Sequence, residues 1–284
     1  MFYYIYRSYF QPDFLKDIYI RTITGIFFLV AVIGSILVHH LAFFALLFGF
    51  CGLAMNEFIL IRAKGTSRKS AIPYYVFGLL NYTIIGLIGL GYLDIRFAFL
   101  ILLTFPLLMV FELFNRFEDS WKRIGSFFSG WLYISIPFGL MNALYLTRFS
   151  ESYFSGLLIG LFVIIWSSDV FAYLVGSAFG KHRLFQRISP GKSWEGSVGG
   201  LIFALLAAYV LSLFYQQISL VNWMVIALIT VVTGTLGDLT ESMLKREAGV
   251  KDSGILLPGH GGVLDRFDAT IFAVPFVFVY VNLF

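Results

Sequence analysis

The stretch from Gly234 to Asp268 carries most of the chemistry this chain can offer. It runs G-T-L-G-D-L-T-E-S-M-L-K-R from Gly234, then Lys251-Asp252, then P-G-H-G-G-V-L-D-R-F-D from Pro258. On a helix, Asp238, Ser242 and Lys245 stand at i, i+4 and i+7 and project from one face. Arg246 follows directly, and Glu241 and Glu247 read as bystanders. The run from Pro258 to Gly262 is a loop around His260 whose glycines free backbone N–H groups for an anion. Asp265 and Asp268 are three apart at a helix start, which sets both carboxylates on the same side, with Arg266 between them. Two carboxylates converging near a third, with cations around them, describe a hard-metal site for phosphates. An all-oxygen donor set points to Mg²⁺ rather than zinc. The competing reading is a charged loop laced with ordinary salt bridges.

Two further clusters precede it. In W-S-S-D-V-F-A-Y-L-V-G-S-A-F-G, positions 166, 169, 173, 176 and 180 share a helix face. Asp169 would be a carboxylate inside a span, which normally faces a polar cavity. Gly176 and Gly180 also fit close helix packing. The next loop, from Lys181 to Gly196, joins basic residues to a Pro190-Gly191 turn and to Lys192-Ser193. A lysine, a hydroxyl and backbone donors suit phosphate oxygens. The spacing of a Walker A loop is absent. The loop's cations also serve as topology signals.

The elements that must position these groups are membrane helices. Hydrophobic residues make up 59% of the 284 and charged ones 13%, with 33 Phe and a single cysteine, Cys51. That excludes a disordered chain, a soluble globule and a disulfide or cysteine-zinc scaffold. The net charge of +4 does not indicate nucleic-acid binding. The first apolar run follows Arg21 and lacks a small-residue cleavage site, so it reads as a span rather than a signal peptide. The segment from Phe2 to Ile20, rich in Tyr, Phe and charge, reads as interfacial.

About nine segments are long and apolar enough to cross a bilayer: 22–38, 41–61, 73–91, 96–114, 126–146, 153–179, 197–215, 220–241 and 268–284. The fold expected is an all-α, polytopic membrane bundle. Of 20 Lys and Arg residues, 18 fall on the side of the N-terminus, leaving Arg96 and Arg148 opposite. The positive-inside rule makes the N-terminus cytoplasmic. Functionally the chain divides at about residue 150. Residues 1–150 form a scaffold of spans one to five, and 151–284 a catalytic region of spans six to nine. In the first part, Glu57 and Glu112 read as interfacial carboxylates near Arg62 and Arg116. His39 and His40 form an external turn, and Cys51 is packing.

The third cluster resembles the signature of phosphatidate cytidylyltransferases, the CDP-diacylglycerol synthases. Its parts stand here as Ser242-Met-Leu-Lys245-Arg246, Lys251-Asp252, Leu257-Pro258-Gly259-His260-Gly261-Gly262 and Asp265-Arg266-Phe267-Asp268. The first two clusters are similar to that family's W-x-x-D-x-x-A-Y and S-P-x-K-[ST]-x-E-G stretches. The resemblance implies that CTP and phosphatidic acid give CDP-diacylglycerol and pyrophosphate, in phospholipid biosynthesis. It implies Mg²⁺, with K⁺ a candidate second ion. Asp238 and Asp265 would hold metal, with Asp268 next. Asp238, Asp265 and Lys245 would be catalytic. Ser242, Arg246, Lys192, Ser193, Lys251, His260, Arg266 and Asp169 would bind substrate. It further implies a multi-pass protein of the bacterial inner membrane with its site facing the cytoplasm, and a homodimer as a candidate assembly. Two rivals remain: a cytidylyltransferase for another lipid phosphate, and a transporter whose acids line a pathway.

Overall fold

A computed structural model describes residues 12–62, 68–115, 119–147, 149, 152–254 and 261–284. The expected interfacial segment lies outside the described residues up to residue 11, and from Pro12 onward it is already helix. The elements in chain order are α1 (Pro12–Val38), α2 (His40–Arg62), α3 (Arg68–Gly89), a 3₁₀ turn (Ile95–Ala98), α4 (Phe99–Asn115) and α5 (Ser120–Gly130). A π-helical turn (Trp131–Ser135) carries α5 into α6 (Ile136–Ala143). The second half holds α7 (Gly156–Phe179), a hairpin of β1 (Arg183–Phe185) and β2 (Ser189–Ser193), then α8 (Trp194–Phe214), α9 (Leu220–Ala248) and α10 (Leu264–Leu283).

This is an all-α polytopic membrane bundle. Among the described residues, seven helices are long and apolar enough to span a bilayer, with α5, the π turn and α6 forming one of them. The first expected span corresponds to the shorter apolar stretch Thr22–Val38. The last corresponds to α10, which carries Asp265, Arg266 and Asp268 in its opening turns. Large apolar side chains such as Phe27, Leu102 and Phe114 stand exposed on the outside, as a lipid-facing surface requires. The hairpin was not expected. Its strands pair antiparallel, with Arg183 opposite Ser193 and Phe185 opposite Ser189. Three and five residues are too few for strand periodicity to register in a sequence.

Local chemistry sets the helix ends around the hairpin and the last loop. Ser193 caps α8, its Oγ accepting from Gly196 N at 3.1 Å. Gly249, at φ +68°, closes α9 by donating its N–H to the carbonyls of Arg246 and Lys245. Lys245 and Arg246 thus occupy the last turn of α9, where cations complement the helix dipole. At Gly196 a side chain would strike the Ala172 carbonyl, so the glycine is what lets α8 approach α7.

The core passes through both halves of the chain. Phe267, fully buried on the first turn of α10, meets the rings of Phe28, Phe50, Phe138 and Phe162 at centroid distances of 5.5, 5.4, 5.0 and 6.4 Å. These rings come from α1, α2, α6 and α7. The start of α10 is therefore docked into the centre of the bundle, with Asp265 and Asp268 on its flanks.

Candidate active site

The C-terminal part of α7, the hairpin, the start of α8 and the middle of α9 enclose a cavity of about 610 Å³. Its walls include Asp169, Tyr173, Arg183, Ser189, Lys192, Ser193, Thr235 and Asp238. The size falls in the range of small-molecule sites. The hairpin swings Lys192 across to α9, where its Nζ pairs with the Asp238 carboxylate. Asp169 faces the same charges, lying in the field of Asp238, Lys192 and Arg266. The N-terminus of α8 opens at this cavity, and its dipole favours an anion there. Three clusters distant in sequence therefore form one lined volume.

A second group of acids adjoins it. Asp268 lies against Asp238, with Glu241 close by. Lys245 Nζ sits between Glu241 and Asp265, 2.6 Å from Asp265 Oδ1. Asp265 Oδ2 also accepts from Ser253 N at 2.9 Å and Gly262 N at 2.8 Å, and lies 2.9 Å from the Ser253 hydroxyl. The phenol of Tyr133, on the π turn, lies in the field of Asp268, Glu241 and Asp238. Its oxygen is buried and has no hydrogen-bond partner among the described residues. A π turn inside an α-helix is a local strain that frequently marks a functional position.

Among the described residues, no three His, Cys, Asp or Glu side chains converge at ion-binding distance. The donor set nonetheless suits Mg²⁺. Its groups are carboxylate oxygens, and Asp238 and Asp268 crowd together in a way that a divalent cation would relieve. Mg²⁺ commonly takes one or two protein carboxylates, completing its shell with waters and substrate phosphates.

The expected site residues divide accordingly. Asp169, Lys192, Ser193 and Asp238 meet at the cavity. Lys245, Asp265 and Asp268 meet in the adjoining cluster. Ser193 caps a helix there as well as lining the wall. Ser242 lies on α9 between the two groups, and Arg246, Lys251 and Arg266 are exposed at the same end of the bundle. His260 lies outside the described residues.

Three readings need correction, the first being Glu112, which is no interfacial acid but is buried and paired with Arg123 at 3.1 Å. Glu241 is no bystander: it is fully buried and ion-paired with Lys245. Glu57 is no interfacial acid beside Arg62, which pairs with Glu247 at 3.3 Å instead. Glu57 is buried and accepts from Ser253 Oγ, Val263 N and Leu264 N, each at 2.9 Å. Tyr133 gave no sequence signal at all. For Glu57 and Glu241 the one available sign was an acid within an apolar helix.

An oxygen-rich, lysine-flanked cavity at one end of a membrane bundle defines a membrane-embedded enzyme that handles phosphates. Residues 19–284 match the model of the cytidylyltransferase family, and the chain belongs to that family. Over 281 residues it is 34% identical to a phosphatidate cytidylyltransferase of Bacillus subtilis, covering 95% of this chain and 100% of that one. A phosphatidate cytidylyltransferase of Pseudomonas aeruginosa is 38% identical over 180 residues, 63% of this chain and 62% of its own. One from Haemophilus influenzae reaches 50% over 125 residues, 42% of this chain and 43% of that relative. The match thus spans less than half of the Haemophilus protein and all of the Bacillus one. The chain is accordingly a nucleotidyltransferase.

Proposed function

We propose that this chain transfers the cytidylyl group of CTP to phosphatidic acid, forming CDP-diacylglycerol and pyrophosphate for phospholipid synthesis. One observation carries the reading: Lys192, Asp169 and Asp238 share a cavity at the N-terminus of α8, beside the Lys245–Asp265 pair and Asp268. In the reaction a phosphate oxygen of the lipid attacks the α-phosphorus of CTP. The bond from that phosphorus to the bridging oxygen breaks, and pyrophosphate leaves with the electron pair. Such transfers depend mainly on positioning and charge neutralisation.

This chain's residues divide the work. Lys192 moves from Asp238 to the triphosphate, and the dipole at the N-terminus of α8 favours a phosphate beside it. The exchange bares Asp238 when nucleotide arrives. Asp238 and Asp268 would hold Mg²⁺, with Asp265 completing the acid set and K⁺ a candidate second cation. When bound, the divalent ion offsets charge on the phosphates and orients them for in-line displacement. Lys245 keeps Asp265 ionised and aimed. Ser242, Arg246, Lys251 and Arg266 gather phosphate at the mouth of the site. The Lys and Arg bias supports a cytoplasmic site, and a helical bundle of this kind supports the bacterial inner membrane. There CTP arrives from the cytoplasm while the lipid stays in the bilayer.

The test is purified protein in detergent with CTP and phosphatidic acid, following pyrophosphate release. Release should require both substrates and should stop with EDTA. Release with an isoprenoid phosphate but not with phosphatidic acid would reassign the acceptor. No CTP consumption with either lipid would overturn the reading.

A further inference from the structure

We infer that Glu57, from the half of the chain that reads as scaffold, is a positioning residue for the acid cluster. It fixes the first turn of α10 and the Ser253 hydroxyl, and through them Asp265 and Asp268. The inference takes its meaning from the reaction proposed above, but its geometry stands apart from it.

A buried carboxylate needs donors, and Glu57 finds all of them 196 or more residues away in sequence. Two are backbone N–H groups at the start of α10, Val263 N and Leu264 N, each at 2.9 Å. These belong to the groups that a helix leaves without intrahelical partners, and the helix dipole favours an anion there. The approach is close: a side chain at Gly262 would collide with both the Glu57 carboxylate and the Ser253 hydroxyl. Asp265 follows one residue after Leu264, and Asp268 one turn later.

The third donor gives Glu57 a specific lever. Ser253 Oγ lies 2.9 Å from Glu57 Oε2 and 2.9 Å from Asp265 Oδ2. A hydroxyl has one proton and can donate to only one of these carboxylates. With an anion at position 57, the proton has a second claimant besides Asp265. With a neutral amide there, it turns to Asp265 and takes up a lone pair that a cation would use. Glu57 therefore sets both where Asp265 sits and how much of its charge is available. Groups that orient ligands in this way typically change metal affinity or activity by about 10- to 100-fold when replaced.

The experiment compares Glu57→Gln, Glu57→Asp and, as a control, Glu112→Gln, a buried acid with no contact to the cluster. Mn²⁺ binding is measured by electron paramagnetic resonance without CTP or lipid, alongside kcat, KM for phosphatidic acid and melting temperature. Glu57→Gln should weaken Mn²⁺ binding and lower kcat by about 10- to 100-fold, at a temperature where it stays folded. KM for the lipid should hold within about twofold, because ground-state lipid binding is untouched. Glu57→Asp should recover part of both losses. Wild-type Mn²⁺ affinity and kcat in Glu57→Gln, or equal losses in Glu112→Gln, would overturn the inference. If Glu57→Gln does not fold, Ser253→Ala reads the same link with the opposite sign: the proton that competes for the Asp265 lone pair is gone, so Mn²⁺ should bind at least as tightly as to wild type; weaker binding there would overturn it. Should the wild-type protein bind Mn²⁺ but release no pyrophosphate, the reaction proposed above fails and the Mn²⁺ comparison still decides the role of Glu57. A wild-type protein that binds no Mn²⁺, with CTP added as well as without it, overturns both.

Discussion

Glu57 in α2 and Glu112 in α4 begin from the same local pattern, an acid near the end of an apolar helix with an arginine four or five residues on. Both are buried, at 5% and 3% exposure. Their surroundings then diverge. Glu112 stays within its own half, taking the Tyr74 hydroxyl and the Arg123 guanidinium, the latter at 3.1 Å. These contacts join α3, α4 and α5. Glu57 reaches across to Ser253 and to the start of α10. The lesson is that burial alone does not assign a role to an acid. A carboxylate that closes a local ion pair holds up a wall, whereas one that bridges to the reacting acids shapes the chemistry. The first kind should be felt in stability and the second in rate.

The largest effect belongs to the acids themselves. Asp265→Asn keeps the shape but loses the charge that Lys245 and three hydrogen bonds now surround. Pyrophosphate release should fall by about a thousandfold, measured at a temperature where the variant, which loses its pair with Lys245, stays folded. Near wild-type turnover would remove Asp265 from the site, and Glu57 with it. Next comes Lys192→Ala, which removes the cation shared between Asp238 and the incoming triphosphate. The value of kcat/KM for CTP should drop by about a hundredfold. In the absence of CTP, Mn²⁺ should bind at least as tightly as to wild type, because Asp238 has lost its internal partner. Weaker binding would mean that Lys192 organises the acids instead of competing for them.

These contrasts explain what the sequence could and could not disclose. The spans were legible because about 20 consecutive apolar residues have few other uses. The clusters around Asp169, Lys192 and Asp238 were legible because polar groups stand out in an apolar chain. That Lys192 meets Asp238 was not, since nothing local records a contact across 46 residues. Glu57 was less legible still. Two of its partners are backbone N–H groups, which every sequence position but proline supplies. Tyr133 was hidden among 16 tyrosines, because its placement depends on a π turn that no residue pattern announced.

Glu112→Gln sharpens the comparison from the stability side. Arg123 is only 11% exposed in its side chain and would lose the charge of Glu112. Breaking such a buried pair costs about 3 kcal/mol. Thermal denaturation in detergent should shift down clearly, while kcat and KM stay within about twofold of wild type. A rate loss at temperatures where the variant is folded would show that the α3–α5 network also reaches the site, and the contrast with Glu57 would collapse.

The smallest effect should come from the end of the bundle opposite the acids. There His40 stacks on Tyr153 at 3.9 Å between ring centroids, and its Nε2 lies 2.9 Å from the Tyr92 hydroxyl. Tyr153 in turn donates to the Leu90 carbonyl at 2.7 Å. The cluster ties the α1–α2 turn to the loops that follow α3 and α6. It contains histidine and phenol groups that could do chemistry, yet no acid of the cavity or of the Lys245 cluster takes part in it. His40→Ala should therefore lower stability by about 1 kcal/mol, the scale of one aromatic pair, and leave Mn²⁺ binding and pyrophosphate release unchanged. A change in either would mean that the two ends of the bundle are coupled. The helices between them, α2 above all, would then be the path, since α2 carries His40 at one end and Glu57 near the other.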